Sequence, residues 1–166
     1  MSKIAIISDI HDNIWNLDKA LTQINAAGAS TLLCCGDFCA PFIVTQLAEA
    51  FAGPIHAIFG NNDADGRLLQ VMASKHDHFH LHGIYCELNI DGRDVAMIHY
   101  PEPARRIAQS AAFDLVCYGH NHLQNWEAVG RGFLVNPGEV MGRLGAASWG
   151  LYDGAAHQYK LKAING

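Results

Sequence analysis

Seven residues of this chain are of types that bind metal ions, and each stands just past an apolar run. Asp9 and His11 follow "KIAIIS", Asp37 follows "TLLCCG", and Asn61 follows "IHAIFG". His99 follows "DVAMI", and His120 and His122 follow "LVCYG". Together they offer two carboxylates, one amide oxygen and four imidazoles. Mixed oxygen and nitrogen ligands suit Mn²⁺, Fe²⁺, Co²⁺, Ni²⁺ or Zn²⁺. The lack of thiolates in the set argues against a closed structural zinc knot. Seven ligands exceed one tetrahedral site and fit two ions sharing a bridging carboxylate. Asp9 and His11 are two apart, as are His120 and His122; in an extended chain such side chains point the same way. Gly36, Gly60 and Gly119 each precede a candidate, and glycine lets the backbone turn sharply and come close to a ligand.

The apolar runs must be strands for this placement to work. "KIAIIS" (3–8), "STLLCC" (30–35) and "PIHAIF" (54–59) read as buried strands. Between them, "DNIWNLDKALTQINAAG" (12–28) carries Ile14, Leu17, Leu21 and Ile24 at helical spacing, with Asp12 or Asn13 as cap and Gly28 as stop. "PFIVTQLAEAFAG" (41–53) opens a second helix on proline, and "DGRLLQVMASK" (65–75) is a third. Such alternation implies a mostly parallel sheet with crossover helices. Ligands of such sheets sit at the carboxyl ends of the strands. From residue 78 the rhythm changes to strands joined by turns, with Asp91-Gly92 a hairpin signal. "PEPARRIAQSAA" (101–112) reads as a helix and "FDLVCYG" (113–119) as a strand, and the remainder as further strands. The expectation is one α/β domain over residues 1–166: a two-sheet β-sandwich flanked by helices.

The motifs "DIH" at 9–11, "GD" at 36–37, "GNND" at 60–63, His99 and "GHNH" at 119–122 together resemble the calcineurin-like metallophosphoesterase family. The length and the "SDIHDN" opening are similar to its small prokaryotic phosphodiesterase branch, and "NPG" at 136–138 also matches. The resemblance implies a four-layer α/β/β/α fold and two divalent ions, Mn²⁺ favoured. It implies that Asp9, His11 and His122 bind the first ion, that Asn61, His99 and His120 bind the second, and that Asp37 bridges them. The residues expected at the reacting phosphate are Asp37, Asn61, Asn62 and His99. The expected reaction is in-line attack of a metal-bridging hydroxide on a small phosphodiester.

Two positions depart from the family pattern. Asn62 stands where the family often has a histidine that can protonate the leaving group; an amide can hydrogen-bond a phosphate oxygen but has no useful proton to give. Good leaving groups, such as aryl esters, are therefore expected to be favoured. Tyr100 follows His99 where glycine is usual, and its ring could narrow the site or stack on a substrate. Two other functions compete. One is a binding scaffold of the same fold with little activity, which the full ligand set disfavours. The other is a monoesterase or nucleotidase, which calls for a proton donor.

A second histidine-rich stretch invites the wrong conclusion. "KHDHFHLHG" (75–83) places His76, His78, His80 and His82 at alternate positions, and on one strand they would share a face. They have no bridging carboxylate and match no family motif, so a solvated or interface face is expected. Asp63 is expected either to support Asn62 or, like Asp65, to cap a helix; Asn136 is expected as a turn residue, Arg105 and Arg106 as a solvated helix face, and Trp15, Trp126 and Trp149 as packing residues. The net charge is −5 with no basic run, which excludes a general nucleic-acid binder. The charged fraction of 16 % leaves room for a homo-oligomer interface. Five cysteines without paired spacing read as reduced thiols of a cytoplasmic protein. No secretory signal or membrane-length apolar stretch is expected.

Overall fold

The computed structural model describes residues 2–164, so Met1, Asn165 and Gly166 of the expected domain lie outside the described residues. Eleven strands and four helices follow one another among them. β1 (Lys3–Ile7), β2 (Thr31–Cys34), β3 (Ile55–Ala57) and β4 (Phe79–Leu81) alternate with α1 (Ile14–Ala26), α2 (Phe42–Ala50) and α3 (Gly66–Ala73). Then come β5 (Tyr85–Ile90), β6 (Arg93–Ile98), α4 (Pro101–Gln109), β7 (Leu115–Cys117), β8 (Asn125–Val129), β9 (Gly132–Asn136), β10 (Ser148–Asp153) and β11 (Gln158–Ala163).

The strands form two mixed sheets. The first has the order β11-β10-β1-β2-β3-β4, the second β5-β6-β7-β9-β8. In the first, β1 to β4 run parallel and β10 returns antiparallel beside β1. In the second, β6, β7 and β9 are parallel, with β5 and β8 antiparallel at the edges.

Three apolar layers hold the sandwich together, and the period of two along each strand assigns residues to them. On β1, Ile4 and Ile6 enter the core between the sheets, while Ala5 and Ile7 face α1 and α2. On β2, Leu33 goes inward and Leu32 and Cys34 face the helices. The second sheet buries Val95, Met97, Leu115 and Cys117 inward and Ala96, Val116 and Leu134 against Ala104 and Ala108 of α4. The expected helix–sheet–sheet–helix layering is therefore present.

The helix starts follow the expected chemistry. Asn13 caps α1, its side chain accepting from the Asn16 N–H at 3.1 Å, and Asp65 caps α3 in the same way at 3.0 Å. Two expectations fail. β4 is a parallel edge strand of the first sheet, so the four alternate histidines do not lie on one strand: His80 alone is within β4. The turn from α3 carries His76 and His78, because the helix stops at Ala73 and leaves too few residues for a longer strand. Second, Trp15 and Trp126 do not pack inside; they are 71 % and 57 % exposed, and Trp149 alone of the three is buried.

The inward face should dominate stability. Leu33→Ala is expected to lower unfolding free energy by about 2–5 kcal/mol, and Trp15→Ala to change it by about 0.5 kcal/mol or less. Urea denaturation at pH 7 measures both.

Candidate metal centre

The seven residues named from the sequence come together at one rim, where strands of both sheets end. Asp9 leaves β1, Asp37 follows β2, Asn61 follows β3, His99 follows β6, and His120 and His122 follow β7. The backbone there is unusual. Asp9, His11, Asp37, His120 and His122 all have positive φ, between 44° and 73°. The side chains therefore converge through left-handed turns, not through the extended backbone expected from their spacing. Aspartate and histidine tolerate that region better than most residues.

Glycine makes the close approach. A Cβ on Gly119 would collide with Ser8 Oγ and stand 2.6 Å from Asp9 Oδ2. One on Gly36, where φ is +94°, would stand 2.5 Å from the Gly60 nitrogen and 2.9 Å from His99 Nδ1. Both glycines were expected to serve close approach, and they do.

Asp9 and Asp37 are 0 % and 1 % exposed, so two carboxylates lie side by side out of water. Asp37 Oδ2 is 3.5 Å from His11 Nε2 and 3.4 Å from His99 Nε2. Asp9 Oδ1 is 3.8 Å from His11 Nε2 and 3.5 Å from His122 Nε2. Asn61 Oδ1 sits 2.8 Å from His120 Nδ1 and 3.2 Å from His99 Nε2. Two groups of three have ligand atoms close enough for one ion: Asp9 with His11 and His122, and Asp9 with Asp37 and His99.

The surroundings set which ring nitrogen faces inward. His99 Nδ1 lies 2.7 Å from the Cys35 carbonyl, and His122 Nδ1 lies 2.6 Å from Glu139 Oε2. A proton held on each Nδ1 turns the Nε2 lone pair toward the carboxylates. Glu139 is fully buried, and its other oxygen accepts from the Leu144 and Gly145 N–H groups.

Charge follows from this packing. Burial opposes ionisation of Asp37, but His99 and two hydrogen bonds from Asn62, both 2.8 Å, outweigh it and hold the carboxyl well below its usual range. The Asp9 carboxylate, followed by Asp37, raises the His11 imidazole despite its burial. Asp9 Oδ1 and His11 Nε2 are buried and have no hydrogen-bond partner. Lone pairs converging on an unsatisfied carboxylate oxygen describe a place for a cation. The residues present fit a divalent metal.

Residues 2–153 match the calcineurin-like phosphoesterase superfamily domain. The chain belongs to that superfamily. It is a metal-dependent phosphoesterase, and its two helix-flanked sheets are those of the superfamily's solved members. It is 29 % identical to "Phosphodiesterase MJ0936" of Methanocaldococcus jannaschii over 95 % of this chain and 96 % of that protein. The solved structure of an archaeal phosphodiesterase superposes with a TM-score of 0.90 at 28 % identity, covering 97 % of this chain and 99 % of that one. Zn²⁺-bound Vps29 from Entamoeba histolytica shares the fold, at a TM-score of 0.67 and 17 % identity over 98 % of this chain and 99 % of that one.

Two supporting residues of this phosphoesterase do more than the sequence reading gave them, and a third was not named. Asp63 is not a helix cap: it accepts from the backbone N–H groups of Asp37, Cys39 and Gly60 and so ties two ligand loops together. Asn136 is fully buried; its Oδ1 accepts from the Gly138 N–H, making the expected turn, and its amide also donates to the Gly119 carbonyl and Asn121 Oδ1, bracing the "GHNH" loop. Glu139 was not singled out at all; its signal was a lone carboxylate after "NPG", in an otherwise apolar stretch. Arg105 lies outside the site, paired with Glu127 on the surface as expected.

The Glu139–His122 contact makes a separable test. Glu139→Gln is expected to weaken Mn²⁺ binding about 10- to 100-fold in calorimetric titration, with far-UV circular dichroism unchanged.

Proposed function

We propose that this phosphoesterase is a dinuclear enzyme acting on phosphodiesters, with Mn²⁺ the favoured ion. The observation that carries the reading is the buried, unpartnered pair Asp9 Oδ1 and His11 Nε2 within a ring of ligand atoms. Asp9, His11 and His122 would hold one ion, and Asn61, His99 and His120 the other. Asp37 would bridge, since its Oδ2 is nearly equidistant from His11 and His99. When bound, the ions supply an activated water at neutral pH and draw charge from the phosphoryl oxygens.

The chain's own residues do the rest. Glu139 and the Cys35 carbonyl keep His122 and His99 in the ligating tautomer. Asn62 faces the reacting phosphate from the rim, where its amide, here donating to Asp37, could turn to a phosphate oxygen. It holds no acidic proton, so the leaving oxygen departs without one from this side chain. Rate then depends on how well the leaving group bears charge, which favours aryl diesters. Tyr100 supports the same choice. Its ring is 4.7 Å from that of His120 and 5.4 Å from that of His99, and it is 43 % exposed. With Pro101, Glu102, Pro103 and His120 it lines an open cavity of about 410 Å³, wide enough for an aromatic group. The choice of diesters rests on the archaeal phosphodiesterases that the chain resembles over nearly its whole length.

Metal-stripped protein reconstituted with Mn²⁺ is expected to hydrolyse bis(p-nitrophenyl) phosphate faster than p-nitrophenyl phosphate. Asp37→Ala should reduce the diester rate by about 100-fold or more. A faster monoester would overturn the diester assignment; silence with Mn²⁺, Co²⁺, Ni²⁺ and Zn²⁺ would favour the scaffold. A second test addresses the missing proton. Asn62→His is expected to raise turnover of alkyl relative to aryl diesters by about tenfold or more, and an unchanged ratio would refute the leaving-group argument.

A further inference from the structure

A second cluster of ligating side chains lies on the edge of the first sheet. His56 on β3 and His80 on β4 are register partners, so they leave the same face, and His82 follows two residues on. Their ring centroids are 5.0 Å apart for His56 and His80, 5.2 Å for His56 and His82, and 6.2 Å for His80 and His82. The face is the inner one: Leu33, the partner of His56 on β2, belongs to the core between the sheets. At β4 that face opens to solvent. His56 is half-buried while His80 and His82 are exposed.

His56 Nδ1 and His82 Nε2 stand 2.9 Å apart. We propose that His56 and His82, with His80 as a third ligand, form a surface site for a divalent late transition-metal ion, Cu²⁺ first. Their 2.9 Å separation is an N–H···N hydrogen bond, so the two nitrogens point at each other and the rings must turn before both can face one ion. The choice of ion rests on the ligand type: for imidazole nitrogens the affinity of divalent first-row ions peaks at Cu²⁺. As the structure stands, one ring's N–H is shared with the other's lone pair. Metal binding moves that proton to the same ring's second nitrogen and frees both lone pairs, with no net proton release. Burial first, then His82 and His80, lowers the His56 imidazole to about 4, so the ring is neutral and able to ligate at pH 7.

The three rings must turn to bring their lone pairs to one point, and His80 and His82, both exposed, have room to do so. The neighbouring histidines do not contribute: His78 Nε2 is 3.1 Å from the Ala48 carbonyl, and His76 packs edge-on against His78 at 6.1 Å. The stretch that looked like a metal site therefore splits, and half of it joins a histidine from another strand. This site is independent of the catalytic reading.

Metal-stripped wild type and His56→Gln–His82→Gln would be titrated with Cu²⁺ at pH 7.5 and followed by electron paramagnetic resonance. The wild type is expected to bind one Cu²⁺ equivalent more than the variant, with two or three equatorial nitrogens, beyond what the Asp9–Asp37 centre takes up in both proteins. The variant's Mn²⁺ binding and melting curve in chelator should match the wild type. The same Cu²⁺ stoichiometry and spectrum in both proteins would overturn the site. Should the double variant fold poorly, His82→Gln alone decides, since His82 is exposed; it should weaken that equivalent by at least about tenfold. Undiminished binding there overturns the proposal as well.

Discussion

Two carboxylates set beside each other out of water are the constraint on which this structure turns. Asp9 and Asp37 cannot both be ionised there without compensation, since burying unpaired charge costs several kcal/mol per ion. The protein meets part of that cost with donors: the His120 N–H on Asp9, and Asn62 twice on Asp37. It leaves the remainder open, with Asp9 Oδ1 unpartnered and four imidazoles around the rim. A cation completes that arrangement. The electrostatics that make two buried carboxylates costly are the same ones that favour a divalent ion between them.

Holding the centre in shape takes backbone strain and a surrounding frame. Non-glycine residues in left-handed turns cost about 1 kcal/mol or more each, and five of the seven candidates sit in such turns. The frame that opposes this strain is made of small fixed contacts. Asp63 binds three backbone N–H groups from two loops, Asn136 spans the loop of His120 and His122, and Glu139 fixes His122 while fastening the segment after β9. The glycines remove side chains where loops would otherwise collide. The loops are thus set by a network more than by any one residue.

The convergence of the seven candidates was legible because each follows an apolar strand, and strands are the most strongly patterned parts of this chain. The layering was legible for the same reason: alternate residues of β1 and β2 sort themselves into two cores. What was hidden depended on distant partners. Nothing local distinguishes Asp63 as a loop tie from Asp65 as a cap, since both precede α3 within three residues. Glu139 acquires its meaning from His122, on the far side of the β8–β9 hairpin. The histidine stretch misled because alternation implies a strand, whereas α3 and its turn consume the first half. His56, which completes the second cluster, lies twenty residues before His76, the first histidine of that stretch, and has no histidine beside it in sequence.

The placement of β10 has a consequence for how the chain is made. β1 is a central strand of the finished sheet, with β2 on one side and β10 on the other. Its β2 edge is filled early in synthesis, but the other edge waits for Ser148–Asp153, far along the chain. Until β10 has been made, an apolar strand rich in isoleucine therefore presents one row of unpaired backbone groups. Contacts of such long sequence separation form slowly. The emerging chain thus has an adhesive edge until Ser148–Asp153 arrives to cover it.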